Sequence, residues 1–292
     1  MAPKPSHTHT MNILLLGKTG QVGFELHRTL SPLGTITAPG RAELDLANEQ
    51  AVTNYLAQTK PNLIVNAAAW TAVDAAEEQQ AEAQRLNAGL PAQLAQYAAT
   101  NNAQLVHYSS DYVYPGNGET PWQESSPTGP LSVYGQTKLE GDQAVQQSGC
   151  EHLIFRTSWV YSARGNNFMK TMLRLAESKT ELNIVADQIG APTPARLIAQ
   201  ITTLAIHSNI ASGLYHLAPA GETSWQGFAK EIFRLAGKST TANPIPTSDY
   251  PTPAQRPLNS RMDTSKLQQA LNIQLPDWQS QLALTLGEYL EN

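Results

Sequence analysis

The sequence predicts an α/β fold, in which helices cover both faces of a doubly wound parallel β-sheet. Short apolar runs alternate with helical stretches through the first half of the chain, and the first run ends in a glycine-rich turn that leads directly into a helix. Later runs end in small or polar residues, which suits the edge where such sheets bind ligands. The remaining residues predict a smaller C-terminal substrate-binding lobe.

The predicted elements follow from these patterns. Strands are predicted near residues 12–16, 35–38, 63–66, 104–109 and 152–156, and helices near 24–30, 49–58, 91–100 and from 166 onwards. We expect a dinucleotide-binding domain over residues 11–159 and 195–213, and a substrate-binding domain over 160–194 and 214–292. Residues 1–10 lack an apolar period, so we expect a disordered extension.

Composition excludes several classes of protein. The chain has 292 residues, a net charge of -5 and a pI near 5.8, which argue against a broad nucleic-acid interface. The single cysteine, Cys150, rules out an internal disulfide and suits a reducing compartment. No apolar run reaches the ~18 residues of a membrane span. We therefore expect a cytoplasmic protein without membrane contact.

The glycine-rich turn is a candidate dinucleotide site with a Rossmann-like arrangement. Glycines at three-residue spacing let the backbone turn tightly and approach a pyrophosphate, which the amides at the helix N-terminus receive. The predicted cofactor residues of this turn are Gly17, Lys18, Thr19, Gly20, Gln21, Val22 and Gly23.

Cofactor selectivity is predicted from the end of the second strand. An acidic residue there favours NAD, whereas a nearby arginine accommodates the 2′-phosphate of NADP. The chain has Arg41 and no acid at the strand end, so we expect NADPH, helped by Lys18, with NADH also accepted. The remaining predicted cofactor residues are Asp45 and Leu46, before the next helix, the small Ala67, Ala68 and Ala69 after the third strand and, further along the chain, Tyr134 and Lys138.

A tyrosine and a lysine four residues apart, Tyr134 and Lys138, form the predicted catalytic pair. On a helix they share a face, with Cβ atoms about 6 Å apart. A positive charge at about 6 Å favours the phenolate by roughly 3 kcal/mol, or about two pKa units. We therefore expect the pKa of Tyr134 to fall towards neutrality, so that it serves as a general acid. Alone, this pair is a weak signal.

Further motifs make the sequence similar to extended short-chain dehydrogenase/reductases and, within them, to the dTDP-4-dehydrorhamnose reductase family, over residues 11–290. The motifs are the turn at 17–23, Asn-Ala-Ala-Ala at 66–69 with Thr-Ala-Val-Asp at 71–74, Tyr-Ser-Ser-Asp-Tyr-Val-Tyr at 108–114, Tyr-Gly-Gln-Thr-Lys at 134–138, Phe-Arg-Thr-Ser-Trp-Val-Tyr at 155–161 and Asp-Gln-Ile-Gly-Ala-Pro-Thr at 187–193. The resemblance implies NADPH-dependent reduction of a 4-keto sugar to dTDP-L-rhamnose, with Ser110, Tyr134 and Lys138 as catalytic residues. Many relatives have threonine where Ser110 stands.

The same resemblance implies a dTDP-sugar site. Its predicted residues are Ser110, Asp111, Tyr112, Trp159, Asn167, Gln188 and Arg256. Trp159 is a candidate stacking surface, and Arg256 suits a diphosphate. The Pro- and Gly-rich loop between residues 115 and 130 predicts a lid.

Some members of the family join subunits through a metal held by carboxylates. The matching positions here are Glu25 and Arg196, and an arginine cannot bind a cation. We therefore expect no metal, and a monomer or a metal-independent homodimer. The alternatives left open are another nucleotide-sugar ketoreductase, an epimerase, and a non-catalytic regulatory subunit of the methionine adenosyltransferase type.

Overall fold

The computed structural model describes residues 10–291. Its strands are β1 (Met11–Leu16), β2 (Gly34–Thr37), β3 (Leu63–Asn66), β4 (Gln104–Ser110), β5 (Glu151–Thr157), β6 (Val160–Tyr161), β7 (Glu181–Val185), β8 (Ile189–Gly190), β9 (Thr193–Pro194), β10 (Gly213–His216), β11 (Thr223–Ser224) and β12 (Thr241–Ile245). The helices are α1 (Gln21–Thr29), α2 (Glu49–Thr59), α3 (Val73–Ala76), α4 (Gln80–Gln84), α5 (Leu90–Asn101), α6 (Val133–Gln147), α7 (Phe168–Ala176), α8 (Ala195–His207), α9 (Trp225–Leu235), α10 (Ser265–Leu271) and α11 (Trp278–Glu291), with a π-helical turn at Arg85–Gly89.

The main sheet is parallel throughout and has six strands in the order β10-β5-β4-β3-β1-β2. This confirms the predicted α/β fold. β2 lies on one side of β1, and β3, the next strand along the chain, lies on the other, so the strand order reverses at β1. In sheets of this kind a ligand crevice opens at that reversal, here between the carboxyl ends of β1 and β3. In register, Asn66 pairs with His107, and Ser110 pairs with Thr157. The polar residues predicted after separate strands therefore meet at one edge.

Apolar side chains fill both faces of this sheet and a separate lobe. One core joins β1 and β5 to α1 and α8, and a second joins the opposite face to α2, α5 and α6. A third core, which includes Phe228 and Trp278, holds α7, α9 and α11 together. Since each apolar face is buried by its own helices, the edge between the main sheet and the lobe is free to form a cleft.

The strand pairing moves one expected domain boundary. Gly213 of β10 pairs with Leu153 of β5, and Leu267 of α10 belongs to a core of the main sheet. A boundary after residue 213 would cut this strand, so residues 213–216 group with the main sheet. The rest of the domain division stays a prediction. The expected disordered extension falls on the first nine residues, which lie outside the described ones.

Between residues 10 and 291, no helix combines the length and apolarity needed to cross a bilayer.

Candidate active site

The glycine turn closes directly against the end of β3. Gly17 has a φ of +85°, and a Cβ there would come within 2.7 Å of the backbone of Ala67 and Ala68. A Cβ on Gly23 would overlap the carbonyl oxygen of Gly17. Gly20 gives α1 no side-chain cap, so its first amides can receive an anion. Gly17 and Gly23 thus let the turn pack closely against β3 and α1, and the uncapped amides at the start of α1 suit a pyrophosphate.

The end of β2 carries both basic and acidic groups. Arg41 is exposed, and Lys18 Nζ lies 4.0 Å from Glu43 Oε1. Glu43 Oε1 also accepts a hydrogen bond from the Gly40 amide at 3.3 Å. The expectation that this strand end lacks an acid is therefore wrong. The Glu43 amide donates to the Gly40 carbonyl, and this turn brings the Glu43 side chain back to the end of β2. The spacing along the chain did not reveal this turn.

The other predicted cofactor residues follow β2 and β3. Asp45 Oδ1 accepts a hydrogen bond from the Ala47 amide at 3.0 Å, and the Leu46 carbonyl accepts one from Arg85 at 3.1 Å. Residues 67–69 are partly exposed at the end of β3. The small alanine side chains leave the crevice open beside the glycine turn.

The three predicted catalytic residues meet at the carboxyl end of β4. Ser132 caps α6 by accepting a hydrogen bond from the Gly135 amide at 3.1 Å, which fixes the start of the helix. Ser110 is hydrogen-bonded to the half-buried Tyr134. Lys138 Nζ donates to the carbonyl of Tyr108 at 2.6 Å. The hydroxyl, the phenol and the ammonium therefore face one end of the same strand.

The electrostatics of the pair differ from the prediction. Burial, with the charges of Asp111 and Asp142, raises the pKa of Tyr134 to about 12, although the hydrogen bond from Ser110 opposes this. The expected fall towards neutrality is therefore wrong. The helical spacing brings the two Cβ atoms together, but the Lys138 ammonium points to the Tyr108 carbonyl. Desolvation of the phenol therefore dominates its pKa. Tyr134 stays protonated at neutral pH, which is the state a proton donor needs.

Two further ionisable groups at this edge are shifted by burial. Burial lowers the pKa of Lys138 to about 8, against the attraction of Asp142. Asp111 is 2% exposed, and burial raises its pKa to about 7. Its Oδ2 atom has no hydrogen-bond partner among the described residues. A buried oxygen of this kind suits a donor from a ligand.

Trp159 forms an aromatic platform with a residue that the sequence reasoning missed. Its ring stacks on Trp225 with centroids 3.9 Å apart, and its φ of +48° places it in the left-handed region. Gln188 accepts a hydrogen bond from the Trp225 indole at 3.1 Å and donates to Thr247 at 3.1 Å. Gln188 thus fixes the platform. Trp225 begins α9, far along the chain, and only its aromatic character could have pointed to it.

The amide of Asn167 is engaged by the protein. Asn167 caps α7 through the Lys170 amide at 3.1 Å and donates to Gln21 of the glycine turn at 2.9 Å. Its side chain thereby ties the lobe to the cofactor turn. Direct contact between Asn167 and substrate stays a prediction.

Arg256 is held by Asp74, which lies in α3. Its guanidinium donates to both carboxylate oxygens, at 2.7 and 3.0 Å. The charge of Arg256 acts on Tyr112, whose ring packs edge-on against Tyr134 with centroids 5.9 Å apart. Arg256 therefore lies near Tyr112, the ring neighbour of the catalytic phenol.

Glu25 of α1 and Arg196 at the start of α8 form an ion pair. Arg196 Nε and one terminal nitrogen lie 3.2 and 3.3 Å from the Glu25 carboxylate, and Arg196 also pairs with Glu288 at 2.9 Å. The guanidinium supplies the positive charge between these carboxylates. Within residues 10–291, no group of three or more His, Cys, Asp or Glu side chains is arranged to hold a metal.

Comparison with known proteins agrees with this geometry. The family model of the RmlD substrate binding domain matches residues 11–291. The chain is 48% identical to the dTDP-4-dehydrorhamnose reductase of Shigella flexneri, over 95% of this chain and 98% of that protein, and to that of Escherichia coli K12 with the same figures. A Bacillus anthracis dTDP-4-dehydrorhamnose reductase, solved in complex with NADP, superposes with a TM-score of 0.91 at 32% identity, covering 96% of this chain and all 100% of the other. The chain belongs to the dTDP-4-dehydrorhamnose reductase family.

Proposed function

We propose that this protein reduces the 4-keto group of dTDP-4-dehydro-6-deoxy-L-mannose with NADPH, giving dTDP-L-rhamnose. One observation carries the proposal. Ser110, Tyr134 and Lys138 converge at the end of β4, on the same sheet edge as the glycine turn. The reductases that share the family supply the identity of the substrate.

The roles of the side chains follow from their chemistry. When bound, NADPH supplies hydride to the carbonyl carbon of the sugar. Ser110 donates a hydrogen bond to the keto oxygen and orients it, and the hydroxyl of Tyr134 gives its proton to that oxygen as the carbonyl becomes an alcohol. The Lys138 ammonium holds the nicotinamide ribose.

The cofactor end is assigned to the basic residues after β2. Arg41 and Lys18 offer positive charge to a 2′-phosphate, which supports NADPH as the preferred cofactor. Glu43 at the same end offers an acceptor to a 2′-hydroxyl, so we propose that NADH is also accepted.

The nucleotide sugar is assigned to the cleft between the sheet edge and the lobe. The Trp159–Trp225 platform offers a flat surface to the base or sugar, and Asp111 offers a buried oxygen to a sugar hydroxyl. Arg256, fixed by Asp74, offers a donor pair to the diphosphate.

The test is to incubate the protein with NADPH and dTDP-4-dehydro-6-deoxy-L-mannose and to measure both cofactor and sugar. One NADPH is expected to be oxidised for each dTDP-L-rhamnose formed. An epimerase would change the sugar without net oxidation of the cofactor, and a regulatory subunit would turn over neither. Either result would reject the reductase assignment.

We also propose that the protein works in the cytoplasm, as a monomer or a homodimer that needs no metal. The ion pairs of Glu25 with Arg196 and of Glu288 with Arg196 and Arg164 support the absence of a metal, because cations of the same chain already face these carboxylates.

A further inference from the structure

A buried carboxylate lies one helical turn beyond the catalytic lysine. Asp142 is fully buried on α6, four residues after Lys138. Its Oδ2 atom accepts hydrogen bonds from Ser109 at 2.7 Å and from Arg156 Nε at 2.9 Å. Its Oδ1 atom has no partner among the described residues and lies 4.0 Å from His107 Nε2. Asp142 takes no direct part in the proposed proton and hydride transfers.

His107 beside it carries no charge at neutral pH. Burial and the nearby Lys138 hold its pKa well below the usual value. The Asn66 side chain accepts from the Ala68 amide at 3.3 Å, so its nitrogen faces His107 Nδ1 at 3.3 Å and donates to it. The imidazole proton therefore lies on Nε2, towards Asp142. His107 thus offers Asp142 a dipole but no positive charge.

Neighbouring elements contribute few other charges to this pocket. The cations that act on Asp142 are Arg156 from β5 and Lys138 from its own helix. The π-helical turn presents the neutral Asn87, which donates to Thr137 at 3.1 Å. At the outer end lie Tyr134 and Asp111, and on the solvent side of α6 Glu140 pairs with Gln136 while Glu77 binds the Val133 amide.

We propose that Asp142 is a positioning residue for this active site, because its buried carboxylate keeps Lys138 in the ammonium form and Arg156 limits that effect. The inference rests on the proposed function, in which the Lys138 charge holds the nicotinamide ribose. Asp142 touches neither substrate nor cofactor, and it acts through Lys138.

The geometry sets the direction of each effect. Burial lowers the pKa of Lys138, whereas the negative charge of Asp142, buried on the same helix, raises it. Removal of the carboxylate charge would release the proton of Lys138 at lower pH. Loss of the Arg156 charge would leave Asp142 more attractive to Lys138, so the proton would be released at higher pH.

The test is the dissociation constant of NADPH, measured by calorimetry across neutral and alkaline pH without any sugar. Because Lys138 is charged below its pKa, wild-type affinity is expected to decline around pH 8. The pH at the midpoint of this decline is expected to be about one unit lower in Asp142→Asn. At the wild-type midpoint, this variant should therefore bind NADPH about fivefold more weakly. Arg156→Gln is expected to move the midpoint up.

Ser109→Ala is the matched control, because it removes a hydrogen bond from the same carboxylate oxygen and changes no charge. Its midpoint is expected to coincide with the wild-type one. A wild-type midpoint in Asp142→Asn would overturn the inference. Should Asp142→Asn fail to fold, because Arg156 is left buried without a partner, an unchanged or lowered midpoint in Arg156→Gln would overturn it.

The two proposals fail separately. If the NADPH midpoints move as described but the nucleotide sugar is not reduced, the proposed function is wrong and the role of Asp142 towards Lys138 stands. If the sugar is reduced but the midpoints coincide, the role of Asp142 is wrong and the reductase stands.

Discussion

Asp74 and Arg256 form a two-point ion pair that joins α3 to the C-terminal segment, with nitrogen–oxygen distances of 2.7 and 3.0 Å. Their side chains are 40% and 20% exposed, so the pair contributes little to stability, about 0–1 kcal/mol at most. The main effect of the pair is to orient the Arg256 side chain. A carboxylate that holds both terminal nitrogens fixes the plane of the guanidinium. Asp74 also accepts from the Ala254 amide at 3.1 Å, which anchors the segment itself.

Asp74→Asn is therefore expected to impair substrate binding more than chemistry. With Arg256 free to move, KM for the nucleotide sugar should rise about tenfold, while kcat and the NADPH dissociation constant change little. Steady-state kinetics with calorimetry for NADPH would check this. Glu231→Gln, which breaks the surface Glu231–Arg234 pair on α9, is the control. A lower KM in Asp74→Asn would mean that Asp74 competes with the diphosphate, contrary to the proposal.

Tyr134→Phe removes the proton donor and keeps the ring. We expect kcat to fall by about 10²–10⁴-fold, since general acid catalysis is lost, with NADPH affinity largely kept. Edge-on packing of the ring against Tyr112 should preserve the fold. Single-turnover measurements of NADPH oxidation would separate this chemical step from binding. Near-normal turnover would remove Tyr134 from the mechanism.

The glycines of the cofactor turn are expected to respond differently to alanine. Gly23→Ala places a methyl group on the Gly17 carbonyl, so it should lower the free energy of unfolding by roughly 1–3 kcal/mol and weaken NADPH binding. Gly20→Ala meets only the Gly17 oxygen, at an ordinary 3.5 Å. It should leave the melting temperature unchanged and weaken NADPH binding alone, because it lies where the pyrophosphate approaches. Equal melting temperatures for both variants would contradict this account.

Arg41→Ala is expected to change cofactor preference. Loss of the positive charge should lower kcat/KM for NADPH about tenfold relative to NADH, since only NADPH carries a 2′-phosphate. Glu43→Gln is expected to shift the ratio the opposite way, because it removes a negative charge beside Lys18. Initial rates with both cofactors would measure the two ratios. If a variant changed kcat/KM for NADPH and for NADH by the same factor, the substituted residue would not recognise the group at the ribose 2′ position.

Chelation is expected to leave the assembly unchanged. Because Arg196 and Arg164 already pair with Glu25 and Glu288, the sedimentation coefficient should be the same with EDTA and with added magnesium. Arg196→Glu would set three carboxylates together and is the variant in which a dependence on magnesium could arise. Dissociation of the wild-type protein by EDTA would contradict the proposal.

The fold, and the residues that end at the sheet edge, could be predicted from the sequence alone. Strand and helix periods, the glycine spacing and the Tyr134–Lys138 pair are local patterns, and local patterns depend on residues close along the chain. The position of Ser110 follows because parallel strands end at one edge, and Tyr134 and Lys138 share a face because they lie one turn apart on α6.

The pairing of charges and of aromatic rings depends on the three-dimensional fold. Glu43 returns to the end of β2, Trp225 stacks on Trp159, and Asp74 holds Arg256 from 182 residues away. The pKa of Tyr134 went the opposite way from the sequence estimate, because burial outweighed a lysine that points elsewhere. Desolvation and partner choice depend on what surrounds a group in space, and spacing along the chain does not contain that information.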